Sequence, residues 1–355
     1  MSWYLTVGPE QDVILSSRVR LARNVKTYPF TGHLDDEQAV ELSQKIRDSI
    51  FAANSKMPEL YKDLDLTELN DVACEALVEQ RLISDELLHS PNKRRKAASR
   101  VVISNDESVS IMIGEEDHIR IQAMTPGLDL KTAYKKAEEV AILIEEKLPI
   151  AYDELFGFLT ACPTNTGTGM RASIMAHLPG LTQFKQIERL RRQLDRMGFT
   201  VRGAYGEHSK AVGSLYQISN QVTLGLSELD ILNDLRSIVE QVIVWERKAR
   251  KKLQERQGVE LTDRLYRNLG VLQQARRISG EEALQRISDL ALGVELGYFT
   301  DIDQKTIKAL LASIGAGTIQ QSCGDVLSAT ECADRRAEKI RDILYKKRTN
   351  EELGE

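Results

Sequence analysis

The chain contains few cysteines, and their spacing excludes the common metal and disulfide frameworks. Cys74, Cys162, Cys323 and Cys332 form no Cys-x-x-Cys pair and have no histidine at the spacing of a zinc site. Disulfides concentrate in secreted proteins, whereas scattered thiols are typical of reducing compartments. We therefore expect reduced cysteines and a cytoplasmic protein.

Long apolar runs and a large excess of one charge are also missing. The longest apolar stretches, such as residues 140–144, are too short to cross a bilayer, and Glu10, Gln11 and Asp12 interrupt any signal-peptide core. The 48 basic and 53 acidic residues leave a net charge of −5, which provides no bulk attraction for nucleic acid or an anionic membrane. We expect neither as a partner.

Three widespread nucleotide-binding motifs are absent as well. The sequence has no Gly-x-x-x-x-Gly-Lys-Ser/Thr loop, no Gly-x-Gly-x-x-Gly fingerprint, and no His-Arg-Asp or Asp-Phe-Gly kinase signature. If the protein binds a nucleotide, other side chains must hold its phosphates.

The pattern of the 355 residues, 42% of them hydrophobic, predicts an α+β fold with two domains. Alternation in residues 12–21 predicts a strand with Ser16, Arg18 and Arg20 on one face. Strands and helices show no βαβ repetition, which favours a largely antiparallel sheet flanked by helices. Further strands are predicted at residues 101–104, 108–113, 119–124, 200–202, 214–219 and 221–226. Helices are predicted at residues 36–53, 66–82, 130–147, 181–197, 231–257, 303–314 and 331–347, and after a capping box formed by Ser279 and Glu282.

Four short segments could supply a phosphate site. They are Ser16-Ser17-Arg18-Val19-Arg20, Glu115-Glu116-Asp117-His118-Ile119-Arg120, Cys162-Pro163-Thr164-Asn165-Thr166-Gly167-Thr168-Gly169-Met170-Arg171-Ala172-Ser173 and Arg202-Gly203-Ala204-Tyr205-Gly206-Glu207-His208. Their five arginines carry guanidinium groups that fork onto phosphate oxygens and stay charged at neutral pH. Taken singly, each arginine is also compatible with a surface ion pair.

In this order, the four segments resemble the motifs of the guanidino (phosphagen) kinases, which move the γ-phosphoryl group of ATP onto a guanidinium nitrogen. The resemblance runs from about Val13 to about Trp245 and implies ATP and Mg²⁺ as cofactors. Arg81 stands where the family has a histidine, which leaves the mode of adenine binding open. Nucleotide contacts are implied at Ser16, Ser17, Arg18, Val19, Arg20, Arg81, Arg120, Arg171, Ala172, Ser173, Ile174, Met175, Arg202, Gly203, Ala204, Tyr205, Gly206 and Glu207.

The resemblance also implies catalytic roles for three residues. A guanidinium is a poor nucleophile because its pKa lies above about 12, so a carboxylate must orient and deprotonate it. Glu116 and Glu207 match the two glutamates that grip the acceptor in the family, and Cys162 matches a cysteine near the guanidinium, where a thiolate assists electrostatically. Glu115 matches a carboxylate that reaches Mg²⁺ through water, with Asp117 in the same acidic cluster. Without a cation, that cluster is a solvated acidic turn, and a lone cysteine is compatible with inert packing.

The layout of the chain resembles the protein-arginine kinase (McsB-type) branch of the family. Small-molecule guanidino kinases carry a helical domain before the Ser-x-Arg-x-Arg strand, whereas only 15 residues precede Ser16 here and a helical segment follows. We expect a guanidino-kinase-like catalytic domain at residues 1–257 and a helical domain at 258–355 for dimerisation or substrate docking. The branch implies a homodimer, protein substrates with accessible arginines, an activator protein and a protease-chaperone of protein quality control. A kinase for free arginine or another small guanidino compound and a catalytically silent adaptor stay open as alternatives.

Overall fold

An eight-stranded sheet forms the centre of the computed structural model, which describes residues 2–52, 57–88, 98–203 and 212–352. Every neighbouring pair of its strands is antiparallel. In spatial order the strands are β2 (Tyr61–Asp65), β3 (Arg100–Ser104), β4 (Val109–Ile113), β5 (Ile119–Pro126), β1 (Ile14–Arg23), β8 (Met170–His177), β10 (Leu215–Asn220) and β9 (Phe199–Gly203). A separate hairpin joins β6 (Tyr152–Asp153) and β7 (Gly157–Phe158). The predicted α+β class is confirmed.

Helices flank this sheet, and the elements described after its last strand are helices. Those before the last strand are α1 (Asp36–Ala52), α2 (Met57–Leu60), α3 (Asp71–Glu79), α4 (Asp85–Leu88), α5 (Leu130–Glu145), α6 (Pro179–Gln183) and α7 (Ile187–Asp195). Those after it are α8 (Glu228–Gln274), α9 (Gly280–Glu295), α10 (Gln304–Ser313), α11 (Ala316–Cys323) and α12 (Ala329–Glu352). Within the described ranges, none of them is long and apolar enough to cross a membrane.

Alternation along the central strands gives the sheet one apolar and one polar face. In β1, Val19 and Leu21 belong to the main hydrophobic core, and Leu21 lies opposite Ile121 of β5 and Met170 of β8. Helices α5 and α8 pack on this apolar face. The intervening residues of β1, β5 and β8 point to the other face, where polar side chains gather, whereas β3 and β4 place Val101, Ile103 and Met112 of a separate hydrophobic core on that face.

Two predicted elements were wrong. The helix predicted at 181–197 is divided into α6 and α7, with Lys185 in a left-handed conformation (φ 54°) between them. The strand predicted at 221–226 is absent from those described residues. That segment braces a loop instead, because Thr223 Oγ1 donates hydrogen bonds to the carbonyl oxygens of Thr164 (3.0 Å) and Thr166 (2.7 Å).

The long helix α8 connects two hydrophobic cores. The core under the sheet includes α8 residues up to Ala249, whereas a second core among the later helices begins at Leu253. Gly258 interrupts the helical conformation (φ 34°, ψ −106°), so α8 is kinked there. Such a conformation is accessible mainly to glycine.

A buried ion pair connects α8 to the C-terminal end of β8. Glu246 and Arg250, which are both buried, lie 2.7 Å apart. The Glu246 carboxylate also accepts hydrogen bonds from the amides of Gly180 and Leu181, each at 2.9 Å. Arg250 donates to the carbonyl of His177 (2.9 Å), so the pair connects α6, β8 and α8. This network fixes the N-terminus of α6.

Removing the Glu246 carboxylate is expected to destabilise the protein strongly. The Glu246→Ala variant leaves Arg250 buried without its charge partner, which costs about 3–5 kcal/mol of unfolding free energy. The matched control is Glu240→Ala, which breaks the exposed Arg236–Glu240 pair of the same helix and should cost at most about 1 kcal/mol. Urea unfolding of both variants measures the difference, and equal effects would contradict the role of the buried pair.

Candidate active site

A cleft of about 560 Å³ opens on the polar face of the sheet. Its walls come from β1, β5, β8, β9, β10, helix α4, the connection between β4 and β5, and the loop before β8. The lining residues predicted from the sequence are Arg18, Arg20, Glu115, Glu116, Arg120, Cys162, Arg171, Arg202 and Gly203. Those that the sequence did not single out as site residues are Ala22, Glu86, Thr164, Asn165, Gly169 and Gln217.

Strand register brings the predicted arginines together. Arg20 of β1 lies directly opposite Arg171 of β8, and Arg202 of β9 lies opposite Gln217 of β10. On the other side of β1, Arg120 of β5 lies opposite Ala22. Residues directly opposite in antiparallel strands point to the same face, so four segments distant in sequence supply one cationic surface.

Arg18 is held in place by two neutral partners. Its Nε donates to Ser173 Oγ (3.2 Å), and one terminal nitrogen donates to Gln217 Oε1 (3.0 Å). Burial lowers the pKa of Arg18 well below its ordinary value, and the positive charges of Arg20, Arg81, Arg120 and Arg171 lower it further. The cationic form is therefore destabilised by its surroundings, and an anion in the cleft would relieve that cost.

Arg20 has an unused donor in the same cleft. Its Nε is buried and makes no hydrogen bond to any described residue. Burial, followed by the charges of Arg120 and Arg171, lowers the pKa of Arg20 to about 9, while Glu115 and Glu86 oppose the shift. The guanidinium is still charged at pH 7, and a buried donor without a partner favours binding of an acceptor such as a phosphate oxygen.

The two neighbouring glutamates differ in exposure. Glu115 is 0% exposed, and its carboxylate accepts hydrogen bonds from Ser84 Oγ and from a terminal nitrogen of Arg120. The Glu116 side chain is 40% exposed, with one oxygen 3.3 Å from the other terminal nitrogen of Arg120. Glu116 is therefore the more accessible carboxylate of the two, and Arg120 links both.

The described residues contain no group of three or more histidine, cysteine or acidic side chains that could hold a metal ion. Magnesium in nucleotide sites is commonly held by the phosphates and water, with only one or two carboxylates from the protein. Glu115 lines the cleft and Glu86, which is exposed, lies in the same cleft. This donor set fits a magnesium ion carried mainly by a nucleotide.

Asp117 does not line the cleft, in contrast to its predicted place in the metal cluster. It is 0% exposed, and its Oδ1 accepts hydrogen bonds from Asn24 Nδ2 and the amide of Ala161, each at 2.7 Å. Ala161 directly precedes Cys162. Asp117 therefore anchors the start of the loop that carries the cysteine and does not share the position of Glu115 and Glu116 in the cleft.

Cys162 lies on a braced loop. Its Sγ is 3.0 Å from Thr164 Oγ1, at the start of a short 3₁₀ turn formed by Pro163–Asn165. Gly167, at φ 115°, approaches the next segment so closely that a Cβ atom would lie 2.3 Å from the Thr223 carbonyl oxygen. Glycine is required there, because any side chain would displace the loop.

Several residues predicted as nucleotide contacts point away from the cleft. The side chains of Val19, Ala172 and Ile174 are 0% exposed in the core on the apolar face of the sheet. Ser17 Oγ, on that same face, donates to the Gly127 carbonyl (2.7 Å). If these four residues contact a nucleotide, they do so through the main chain.

The other predicted nucleotide contacts have different positions. Ser16 and Met175 are buried and paired on the polar face, beyond Arg18. Arg81 has a left-handed conformation (φ 61°), and its carbonyl accepts from Gln122 Nε2 (2.6 Å). Ala204, Tyr205, Gly206 and Glu207 lie outside the described residues.

Gln217 and Ser84 are site residues that sequence reasoning missed. Gln217 positions Arg18, and Ser84 binds Glu115. Gln217 alternates with apolar residues in the predicted strand 214–219, and this polar position on one face was the available signal. Nothing in the local sequence distinguishes Ser84 from an ordinary loop serine.

Two family models match the chain. The model described as ATP:guanido phosphotransferase, C-terminal catalytic domain, matches residues 41–249. The model described as protein-arginine kinase McsB C-terminal domain matches residues 258–353. The first match includes three of the arginine segments that line the cleft, and the second covers the helices that follow the kink in α8.

Proteins named protein-arginine kinase are similar over almost the entire chain. The one from Clostridium acetobutylicum is 40% identical over 344 residues, which are 97% of this chain and 99% of the relative. The one from Halothermothrix orenii is 42% identical over 343 residues, 96% of each chain. The one from a Geobacillus species is also 42% identical, over 97% of this chain and 93% of the relative.

Solved structures share the fold at lower identity. The duplicated taurocyamine kinase from Schistosoma mansoni, with bound transition state analog components, is 27% identical with a TM-score of 0.57. The match covers 72% of this chain and 36% of that one. A lombricine kinase is 21% identical with a TM-score of 0.58, covering 70% of this chain and 71% of that one. The lombricine kinase match concerns the fold alone.

Proposed function

This chain belongs to the ATP:guanido phosphotransferase family, and we propose that it is a protein-arginine kinase, transferring the γ-phosphoryl group of MgATP to arginine side chains of proteins. The observation that carries the proposal is the sheet register, which gathers five arginines around one cleft beside the accessible carboxylate of Glu116. The arginines suit a polyphosphate, and the Glu116 carboxylate suits a guanidinium.

In this proposal, the arginines bind and orient the nucleotide. Arg18, fixed by Ser173 and Gln217, and Arg20, whose Nε has no partner among the described residues, donate to phosphate oxygens. Arg120, Arg171 and Arg202 complete the cationic wall and stabilise the charge on the transferred group. When magnesium is bound with ATP, it would neutralise charge on the phosphates, and Glu115 would contact the ion through water.

The carboxylates act on the acceptor. Glu116 accepts the proton that the guanidinium loses, while the nucleophilic nitrogen forms its bond to the γ-phosphorus and the bond to the leaving oxygen of ADP breaks. Glu207 is proposed to grip the same guanidinium. Cys162, which lines the cleft, is proposed to act as a thiolate that stabilises the positive charge of the guanidinium.

The domain arrangement and the partners belong to the same proposal. The kink at Gly258 and the change from one hydrophobic core to the other support a catalytic domain at 1–257 and a helical domain at 258–355. We further propose a cytoplasmic location, protein substrates with accessible arginines, an activator protein and a protease-chaperone of protein quality control as partners. No disulfide joins the four cysteines, all of which lie in described residues, and this is compatible with a reducing compartment.

The direct test is to incubate the protein with MgATP, a partly unfolded acceptor protein and a small guanidino compound, and to characterise the phosphate bound to each. A phosphoramidate is lost in acid and stable in base, whereas serine and threonine esters survive acid. Acid-labile phosphate on the acceptor is expected. Phosphate only on a small guanidino compound would favour the alternative represented by the taurocyamine kinase, and phosphate on neither would favour a silent adaptor.

The helical domain is expected to form a homodimer. Val259, Tyr266 and Tyr345 are large side chains exposed on α8 and α12, and contact with a second copy would remove them from water. Light scattering at micromolar concentration should therefore give twice the 40.0 kDa mass of the chain. A monomeric mass at that concentration would contradict the expectation.

A further inference from the structure

Exposed apolar side chains lie around the loop that carries Cys162. Leu155 is 78% exposed and Phe156 is 49% exposed, both at the tip of the β6–β7 hairpin. Leu224, in the segment after β10, is 51% exposed. Single exposed apolar residues are ordinary, but a cluster beside a functional cleft indicates a binding surface. We call these three residues the apolar rim.

Backbone contacts place the rim next to the cleft. Phe158 and Gly167 exchange two hydrogen bonds, at 2.8 and 3.2 Å, so the hairpin lies directly against the Cys162 loop. On the other side of that loop, a Cβ atom on Gly167 would lie 2.8 Å from Leu224 Cα. The Cys162 loop lies between the hairpin and the segment that contains Leu224, and it lines the cleft through Cys162. The hairpin and the Leu224 segment carry the rim residues.

The hairpin tip presents its apolar side chains on a fixed turn. Asp153 Oδ1 accepts hydrogen bonds from the amides of Leu155 (2.8 Å) and Phe156 (3.0 Å). At its base, Phe158 contacts the Tyr152 ring edge to face, with centroids 5.2 Å apart, and the Arg23 guanidinium lies 3.4 Å from the Phe158 centroid. A pre-organised apolar surface loses little conformational entropy when a partner binds.

We propose that the apolar rim binds the polypeptide on either side of the acceptor arginine, through apolar side chains of that polypeptide. This inference rests on the proposed function. An arginine whose guanidinium reaches Glu116 and Cys162 places its own main chain at the mouth of the cleft, and the Cys162 loop is one wall of that cleft. The rim lies on both sides of that loop.

The occupant is therefore an extended or unfolded segment with apolar residues close to its arginine. Folded proteins bury most such residues, whereas an unfolded chain offers them to the rim together with the arginine. Glu154, exposed between Asp153 and Leu155 at the hairpin tip, adds a negative charge that suits a positively charged acceptor. The rim selects apolar character in the acceptor segment and does not require a particular sequence.

The test compares acceptors in a variant with Leu155→Ser and Phe156→Ser. The control carries Val7→Ser and Ile142→Ser, because these residues are similarly exposed, at 74% and 49%, and do not line the cleft. The acceptors are a peptide with one arginine between leucine and valine residues, a peptide with serines in those positions, and N-acetylarginine amide.

For the rim variant, the KM of the apolar peptide is expected to rise about tenfold, which corresponds to about 1.4 kcal/mol. The serine peptide, N-acetylarginine amide and the KM for ATP should change little, as should every acceptor with the control variant. An equal loss for all acceptors would overturn the inference, because the rim would then support only the loop. An unchanged KM, or a loss that accompanies conversion of a dimer to a monomer in light scattering, would overturn it as well. Failure of the wild-type protein to phosphorylate any acceptor would instead refute the proposed function.

Discussion

Replacing Glu116 by glutamine is expected to lower kcat for phosphoryl transfer by about 10²–10⁴-fold and to leave the Kd for ATP nearly unchanged. Glutamine keeps the shape of the side chain, but it cannot accept the proton of the guanidinium. Glu116 is suited to this role because it is the accessible member of the Glu115–Glu116 pair and lies 3.3 Å from Arg120. The expected result is therefore a defect in the chemical step without a defect in nucleotide binding.

The measurement combines kcat on a protein acceptor with an equilibrium titration of nucleotide. Glu188→Gln is the matched control, because Glu188 is an exposed glutamate of α7 whose side chain pairs with Arg191 and does not line the cleft. It should behave as the wild type. Near-normal turnover of Glu116→Gln would refute its assignment as the base.

Replacing Arg20 by lysine is expected to weaken nucleotide binding and slow transfer together. Lysine keeps one positive charge but loses the planar fork, including the buried Nε that has no partner among the described residues. Loss of one hydrogen bond to a charged group costs about 1.5–3 kcal/mol, so kcat/KM for ATP should fall roughly 10- to 100-fold.

The control for this second effect is Arg189→Lys, an exposed arginine of α7 outside the cleft. Both variants retain their net charge, so a general electrostatic effect would act on them alike. The Kd for ATP from isothermal titration and the initial rates at saturating acceptor distinguish the two variants. If Arg20→Lys binds ATP as tightly as Arg189→Lys and reacts as fast, Arg20 is not a phosphate ligand.

The sequence was informative about the fold where periodicity reflects burial. Alternation in residues 12–21 predicted both the strand β1 and its polar face, because one side of that strand contacts the core and the other lines the cleft. The helix predicted at 181–197 begins earlier, at Pro179, where a buried carboxylate far along the chain, Glu246, binds the amides of Gly180 and Leu181, and it is interrupted at Lys185 (φ 54°). Periodicity carries no information about such a distant partner.

The site could be predicted from the sequence only in part, because its residues are recognisable as segments but their relative positions depend on strand pairing. The five arginines lie in recognisable segments, but only strand pairing brings Arg20 opposite Arg171 and places Arg202 opposite Gln217. Asp117 was misplaced because an acidic residue beside two others suggests a common solvent-exposed cluster. Asp117 lies between β4 and β5, and hydrogen bonds from Asn24 and Ala161 hold it in the interior.

The central claim is that the acceptor is an arginine within a polypeptide, and a direct competition tests it most sharply. The protein is incubated with MgATP, an unfolded acceptor protein and free arginine, with the two acceptors at equal concentrations of guanidinium groups, and the initial rates of acid-labile phosphate formation on each are compared. We expect the protein-bound arginines to be phosphorylated far faster, because binding energy from the surrounding polypeptide helps to position the guanidinium against Glu116. Faster phosphorylation of free arginine, or protein-bound phosphate that survives acid, would contradict the assignment.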